Sequence, residues 1–316
     1  MTVNEWQIPP ELPATGVWSH AISRAGTDDT RELVQELEEL GVPAIWYPES
    51  VESKESIGFG ALLLSWTRSM TIASGITSIY SRDATAAANG ARTLADAFPG
   101  RFVLGLGISH APQVATRGHD YGRPMAMMTA YLDAMDDAEF VGQPLRRPPA
   151  RLLAALNPRM LRLAAERCAG AHTYFMPPEH TALAREILGP RLALAVEVGF
   201  SLGDNPAAVA AYVEGHVGRD NYRRALLFSG FGEDDVAGGG SERLVGAVVV
   251  RGGPDDLVVR MREHFAAGAT HVCVQPLGTD RSDLQLRQLR EIAPALHELA
   301  GAATVARGNV EEGVIR

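Results

Sequence analysis

A chain of 316 residues with 46% hydrophobic and 21% charged side chains can bury a large core, which excludes a disordered or fibrous protein. Its net charge of −9, with no basic block, excludes a nucleic-acid footprint, and no apolar run approaches the roughly 20 residues of a membrane helix. The opening MTVNEWQIPPELPATG lacks a basic stretch followed by a long apolar one, so no signal peptide is expected; Cys168 and Cys273, in apolar stretches, are expected as reduced thiols of a cytoplasmic protein.

Apolar runs and amphipathic helices alternate along the chain. The first run, 16–20 (GVWSH), precedes a helix opened by Thr27-Asp28-Asp29, carrying Leu33, Leu37 and Leu40 and closed by Gly41. The second run is 44–47 (AIWY), followed by a helix over 57–66. The third, 71–79 (TIASGITSI), leads to an Ala-rich helix over 84–98, and the fourth, 101–108 (RFVLGLGI), to a helix over 125–140. The fifth is 152–156 with a helix over 158–168, and the sixth is 172–176 with a helix over 179–188. The seventh is 192–198, the eighth 271–277, and a last helix covers 283–299. Eight strands alternating with helices imply right-handed βαβ units and a parallel sheet, which closes naturally into a (β/α)8 TIM barrel. An open doubly wound sheet is the alternative.

The rhythm breaks once. More than 70 residues separate the seventh and eighth runs. They hold helical stretches at 206–217 and 220–228, a Gly238-Gly239-Gly240 segment, an apolar run at 247–250 and a helix over 254–267. The chain reads as one domain over 1–316, with 201–253 as an insertion on the barrel rim, a lid or a dimer element.

In a barrel the working residues lie at the C-terminal strand ends. That rule selects Trp18 and His20, Glu49 and Ser50, the stretch 75–78, the stretch 107–110 with Gly107, Ser109 and His110, and the stretch 157–159. Asn157 is a favoured N-cap and Pro158 a favoured first helical residue, so the following N–H groups face the mouth as a site for phosphate or carboxylate, with Arg159 adding charge. Gly75 interrupts a β-rich run and marks a bulge or close backbone approach. His110 suits proton transfer at neutral pH. The sequence Gly105-Leu106-Gly107-Ile108-Ser109-His110 lacks the third glycine of a dinucleotide fingerprint, and no helix is evident after it. No phosphate-binding loop, zinc helix or nucleophile elbow occurs, and the scattered histidines suggest no metal site. A Schiff-base aldolase would need a lysine at a strand end, and the only lysine, Lys54, lies beyond the second strand.

Taken together, Glu38-Glu39-Leu40-Gly41 leading into Ala44-Ile45-Trp46-Tyr47-Pro48-Glu49, then Ala73-Ser74-Gly75-Ile76-Thr77-Ser78, then Gly100-Arg101-Phe102-Val103-Leu104-Gly105-Leu106-Gly107, resemble the luciferase-like flavin oxidoreductases, and more particularly the branch that uses coenzyme F420. The stretch 260–275 fits the same family's last helix and strand. The resemblance implies a non-proline cis bond at Gly75–Ile76 supporting a deazaflavin ring, with Thr77, Gly107 and Ser109 nearby. It implies cofactor phosphate at Asn157, Pro158, Arg159 and Met160. Ser50 stands where related sugar-phosphate dehydrogenases carry a catalytic histidine after an acid, here Glu49, and His110 where they carry an acid; this departure puts that reaction in doubt. The expected activity is hydride transfer between F420 and a small organic substrate, with His110 as the proton-transfer group and His20 or Glu49 in reserve. Trp18 and Trp46 line the pocket or belong to the core. An FMN-dependent monooxygenase and a non-catalytic flavin-binding barrel are the alternatives. A homodimer with no membrane or nucleic-acid partner is expected, and the negative charge demands local arginines, Arg159 and Arg162, for an anionic cofactor.

Overall fold

A computed structural model describes residues 4–203, 205–278 and 282–313. After a 3-10 turn at Glu5–Gln7 come β1 (Thr15–Trp18), α1 (Ala21–Arg24), α2 (Thr27–Glu39), β2 (Ala44–Tyr47), α3 (Ser56–Trp66), β3 (Thr71–Ser74), β4 (Thr77–Ser78) and α4 (Ala84–Ala97). The chain continues through β5 (Phe102–Gly107), α5 (Ala111–Thr116), α6 (Pro124–Asp136), β6 (Ala150–Ala154), α7 (Pro158–Arg167), β7 (Gly170–Thr173), α8 (Pro178–Leu188) and β8 (Ala193–Leu202). It ends with α9 (Pro206–Val217), α10 (Asp220–Phe228), α11 (Glu242–Val248), β9 (Val249–Gly252), α12 (Pro254–Ala266), β10 (His271–Pro276) and α13 (Ser282–Gly313).

Eight parallel strands, β10-β1-β2-β3-β5-β6-β7-β8, pair in that order, and β8 pairs back to β10 from His271↔Ala195 to Pro276↔Phe200. The expected (β/α)8 barrel is therefore closed. Alternation along the strands separates two cores. Trp18, Trp46, Ala73, Val103, Leu152, Ala195 and Cys273 fill the interior, where two indoles are accommodated against small alanines. Val17, Ile45, Ile72, Leu104, Leu153, Val196 and Val274 face the surrounding helices. On β8 the inward set is Ala193, Ala195 and, by the same alternation, Glu197. Both cysteines are buried and free.

The departures from the expected elements have local causes. The third run is split: β3 stops at Ser74 and β4 resumes at Thr77. A short helix, α5, does start after the fourth strand, with His110 at its N-cap position; it buries only Val114 and has no side-chain cap, so it left no periodic signature. The fourth helix ends at Asp136 rather than 140, and the last continues past Leu299 to Gly313. The apolar run at 247–250 is divided between α11 and β9. That ninth long strand exists because β8, ten residues long, overshoots β7; its outer half, from Gly199 to Leu202, pairs in parallel with β9.

The stretch between β8 and β10 has its own apolar cluster. Val209, Tyr212, Val213, Tyr222, Leu226, Leu244 and Val248 pack together with Phe175 and Met176, which follow β7. This shared burial places α9 and α10 beside the C-terminal end of the barrel.

Candidate active site

One wall of the mouth is a backbone ledge. Between the pairs Ala73↔Val103 and Thr77↔Leu106, the β3–β4 chain takes four steps while β5 takes three, which is a one-residue bulge. The Gly75–Ile76 peptide within it is cis. Hydroxyls staple the ledge down. Ser74 Oγ donates to the Gly105 carbonyl at 3.1 Å and accepts from the Gly105 N–H at 3.0 Å, while Thr77 Oγ1 lies 3.0 Å from Ser74 Oγ and 2.9 Å from Ser56 Oγ. The approach needs missing side chains: a Cβ on residue 105 would sit 2.1 Å from the Ser74 carbonyl oxygen, and one on residue 75 would sit 2.7 Å from Trp18 Nε1. Gly75 and Ile76 are half-buried and open to the mouth, whereas Thr77 is buried. Trp18 Nε1, beside Gly75, is a buried donor without an acceptor.

Glu49 belongs to this wall. Its Oε2 accepts from Ser56 Oγ at 3.0 Å, the Ser78 N–H at 3.1 Å and Ser81 Oγ at 3.1 Å, and its Oε1 accepts from Arg117 Nη2 at 3.1 Å. Burial pushes its pKa up, against those hydrogen bonds and the Arg117 charge. With four donors engaged, the carboxylate anchors β4 and α3 to each other. Ser50 contributes backbone: its N–H donates to Ser53 Oγ and its carbonyl accepts from Arg117.

The second wall carries ionisable and aromatic side chains. His110 is half-buried at the end of β5, and Arg219 Nη1 donates to its Nε2 at 3.4 Å. Burial, then the Arg219 charge, lowers its pKa to about 4, so the ring is neutral at pH 7. Ser109 has a positive φ of 60° and its hydroxyl donates to Gln113. His20 stands edge-on to Trp18, with ring centroids 4.5 Å apart. His216, on α9, has Nδ1 2.6 Å from the Tyr212 carbonyl, an acceptor, so Nδ1 carries the proton and Nε2 the lone pair. Its ring stacks on Phe175 at 4.8 Å and meets Tyr222 edge-on at 5.0 Å. Burial lowers its pKa to about 4, and Arg219, His110 and His20 each add to that.

Below this wall lies Glu197, 1% exposed. Tyr212 OH donates to it at 2.8 Å and the Phe175 N–H at 3.0 Å. Burial outweighs both bonds and raises its pKa to about 7. Beside it, Tyr174 OH donates to Gln275 Oε1 at 2.5 Å.

At the third side, Asn157 occupies the N-cap position of α7 with Pro158 following, but its side chain does not cap the helix. Its Nδ2 donates instead to the Asn221 carbonyl at 3.1 Å, tying the loop after β6 to α10. The expected capping bond is therefore replaced, because α10 lies against the loop and offers an acceptor. Arg159 is exposed and Met160 half-buried against the main core.

The structure thus gathers Gly75, Ile76, Thr77 and Gly107 on the ledge, with Glu49, and His20 and His110 with the opposite wall. Gly107 ends β5, opposite Ser78. His216, Arg219, Tyr222, Tyr174 and Glu197 also stand at the mouth and are not among the residues that the strand-end rule selects. Only Glu197 carried a signal, as the lone acid in the apolar run LALAVEV. Among the described residues no three His, Cys, Asp or Glu side chains are placed to hold a metal, and no helix is long and apolar enough to cross a membrane.

The model of the luciferase-like monooxygenase family matches residues 11–271. No curated protein matches the chain in sequence. Among solved structures, an F420-dependent secondary alcohol dehydrogenase with an F420-acetone adduct superposes with a TM-score of 0.67 at 14% identity, over 90% of this chain and 99% of that one. The coenzyme F420-dependent tetrahydromethanopterin reductase of Methanopyrus kandleri gives 0.65 at 17% identity, over 90% and 99%. The oxygenating constituent of the 3,6-diketocamphane monooxygenase of Pseudomonas putida, in complex with FMN, gives 0.63 at 17% identity, over 89% and 96%.

Proposed function

The chain belongs to the luciferase-like monooxygenase family, and from that premise we propose that it is an oxidoreductase transferring a hydride between coenzyme F420 and a small organic substrate. The observation that carries the reading is the ledge: a half-exposed bulge at Gly75–Ile76, drawn onto β5 where residue 105 has no Cβ, opens to the barrel mouth. Such a surface fits the face of a flat ring, and the unpartnered Trp18 N–H beside it is a donor such a ring could satisfy. The F420 reading is supported by the likeness of 38–49, 73–78 and 100–107 to that branch. An FMN-dependent monooxygenase is the second reading, favoured by the FMN-bound diketocamphane enzyme, whose fold is about as similar.

Bound on the ledge, the cofactor supplies two-electron chemistry. Gly75, Ile76 and Thr77 support the ring, with Gly107 and Ser109 at the neighbouring strand end. The first-turn N–H groups of α7, with Asn157, Pro158, Arg159 and Met160, receive the phosphate. His110 and His216 are the proton-transfer groups, His216 presenting a fixed lone pair at Nε2 and His110, whose Nε2 faces Arg219, presenting Nδ1–H. His20 borders the ring site. Glu49 and Ser50 act through the ledge. The same reading takes 1–316 as one domain, 201–253 as its rim insertion, the location as cytoplasmic and the assembly as a homodimer.

The test is to supply the purified protein with reduced F420 or reduced FMN, with and without oxygen. F420-dependent activity predicts saturable binding of F420 and its anaerobic oxidation by an added small aldehyde or ketone, which takes up the hydride and a proton to become the alcohol. Saturable binding of reduced FMN, with an oxygen atom from O2 incorporated into the added carbonyl compound and the other released as water, would establish the second reading instead.

A further inference from the structure

Arg219 stands apart from its neighbours. Arg117 pairs with Glu49, Arg223 with Glu233, and Arg224 with Asp220. Arg219 contacts no carboxylate among the described residues; its hydrogen bond goes to His110 Nε2, a base. A guanidinium does not lose its proton, so a permanent charge is held against a neutral imidazole. The permanent charge felt at His216 is that of Arg219, which opposes its protonation and acts the same way on His110. In a chain of net charge −9 this corner of the mouth is locally positive.

The corner is also shaped. Tyr222 is 6.0 Å from His110 and 5.0 Å from His216 between ring centroids, and Tyr174 is 5.2 Å from His216. The connector carrying Arg219 is tied down two residues later, where Asn157 holds the Asn221 carbonyl. A cation at the rim, a neutral N–H donor and aromatic walls suit an oxyanion attached to a flat or apolar body, because the guanidinium gives charge-assisted bonds and the rings pack against the apolar body.

We propose that Arg219 and His110, walled by Tyr222, Tyr174 and His216, form a seat for an oxyanion, best matched by the carboxylate of an aromatic or alicyclic acid acting as substrate. The assignment to a substrate rests on the oxidoreductase reading above; the seat does not. A cofactor phosphate shares the oxyanion chemistry, so the experiment separates the two sources.

Calorimetric titration of the purified protein with benzoate, acetate and inorganic phosphate tests the seat. Benzoate should bind saturably and more tightly than acetate. Arg219→Ala should weaken it at least tenfold, His110→Phe should weaken it less, and Arg224→Ala should leave it unchanged. Retention of benzoate binding after saturation with F420 or FMN assigns the seat to a substrate. Loss of benzoate binding on saturation, with phosphate competing and cofactor affinity falling in Arg219→Ala, keeps the seat but gives it to the cofactor's phosphate. Equal binding of benzoate by the parent protein and Arg219→Ala, or no binding of either anion, overturns the proposal. Circular dichroism of each variant verifies folding, and since Arg219 is exposed its truncation removes no core contact. Benzoate binding without any cofactor binding would leave the seat standing and defeat the oxidoreductase reading alone.

Discussion

The two walls of the barrel mouth are built from different materials. The ledge side is backbone held by the hydroxyls of Ser56, Ser74, Thr77 and Ser81, with one carboxylate, Glu49, saturated by four donors that include the Ser78 N–H. The opposite side is a set of ionisable side chains in an aromatic frame, where Glu197 has two donors and His216 one carbonyl. Each wall buries a carboxylate whose pKa is raised, but only Glu197, lacking a cation beside it, is lifted to about 7. Rigidity on one side and titratable charge on the other is the division of labour expected where a flat cofactor is to be positioned and protons are to be moved.

The comparison can be broken most forcefully at the ledge. Gly105→Ala would place a methyl group 2.1 Å from the Ser74 carbonyl oxygen, and backbone cannot rotate away as a side chain can. We expect a loss of about 3 kcal/mol in urea-induced unfolding, together with loss of cofactor binding. Unchanged stability would mean that the ledge is not as close to β5 as described.

The pH dependence separates the walls from the barrel floor. His172 is buried against Trp46, and burial, with His271 nearby, lowers its pKa to about 3. The unfolded chain takes up this proton near pH 6.5 and the folded one does not, so stability is present above pH 6.5 and falls on acidification. Between pH 6.5 and 4.5 the fall is about 2–3 kcal/mol for this group, and His172→Phe should remove that share in unfolding experiments. Glu197 acts in the opposite direction. Its raised pKa gives stability that is full below the ordinary value of 4.5 and lost as pH rises through about 7. Parent protein should lose roughly 2 kcal/mol relative to Glu197→Gln between pH 5 and pH 8. Parallel curves for the two proteins would show that Glu197 is not protonated in the folded state.

The smallest effect sharpens the contrast within the ledge. Ser81→Ala removes one of the Glu49 donors and leaves three, so a loss of about 1 kcal/mol is expected, with no change in the pH profile near neutrality.

The frame of the molecule was readable because its signal is periodic. Runs of four to nine residues, largely apolar, alternating with helices at a spacing of three and four place β2, α9 and α10 at their observed ends and most other elements within two residues. Gly75 marked the bulge because glycine in a β-rich run has few other reasons to be there. The second wall left no comparable trace. Tyr174, Glu197, His216, Arg219 and Tyr222 come from five separate elements and connections, and all but Glu197 are unremarked in their local context. Their meeting depends on α9 and α10 burying the cluster shared with Phe175 and Met176, a tertiary choice that no local pattern encodes. The same docking explains Asn157, correctly placed at a helix start but bonded across to Asn221 instead of to its own helix.

The most direct test of the whole account is equilibrium titration of the purified protein with F420 and with FMN, followed by fluorescence, alongside Gly75→Leu, whose Cβ alone would sit 2.7 Å from Trp18 Nε1 and so disturb the ledge and the indole beside it. The account predicts one saturable site for one of the two cofactors, with a Kd of about 1 µM or tighter, weakened at least a hundredfold in the folded variant. Failure of both cofactors to bind the parent protein, or equal binding by the variant, would contradict it.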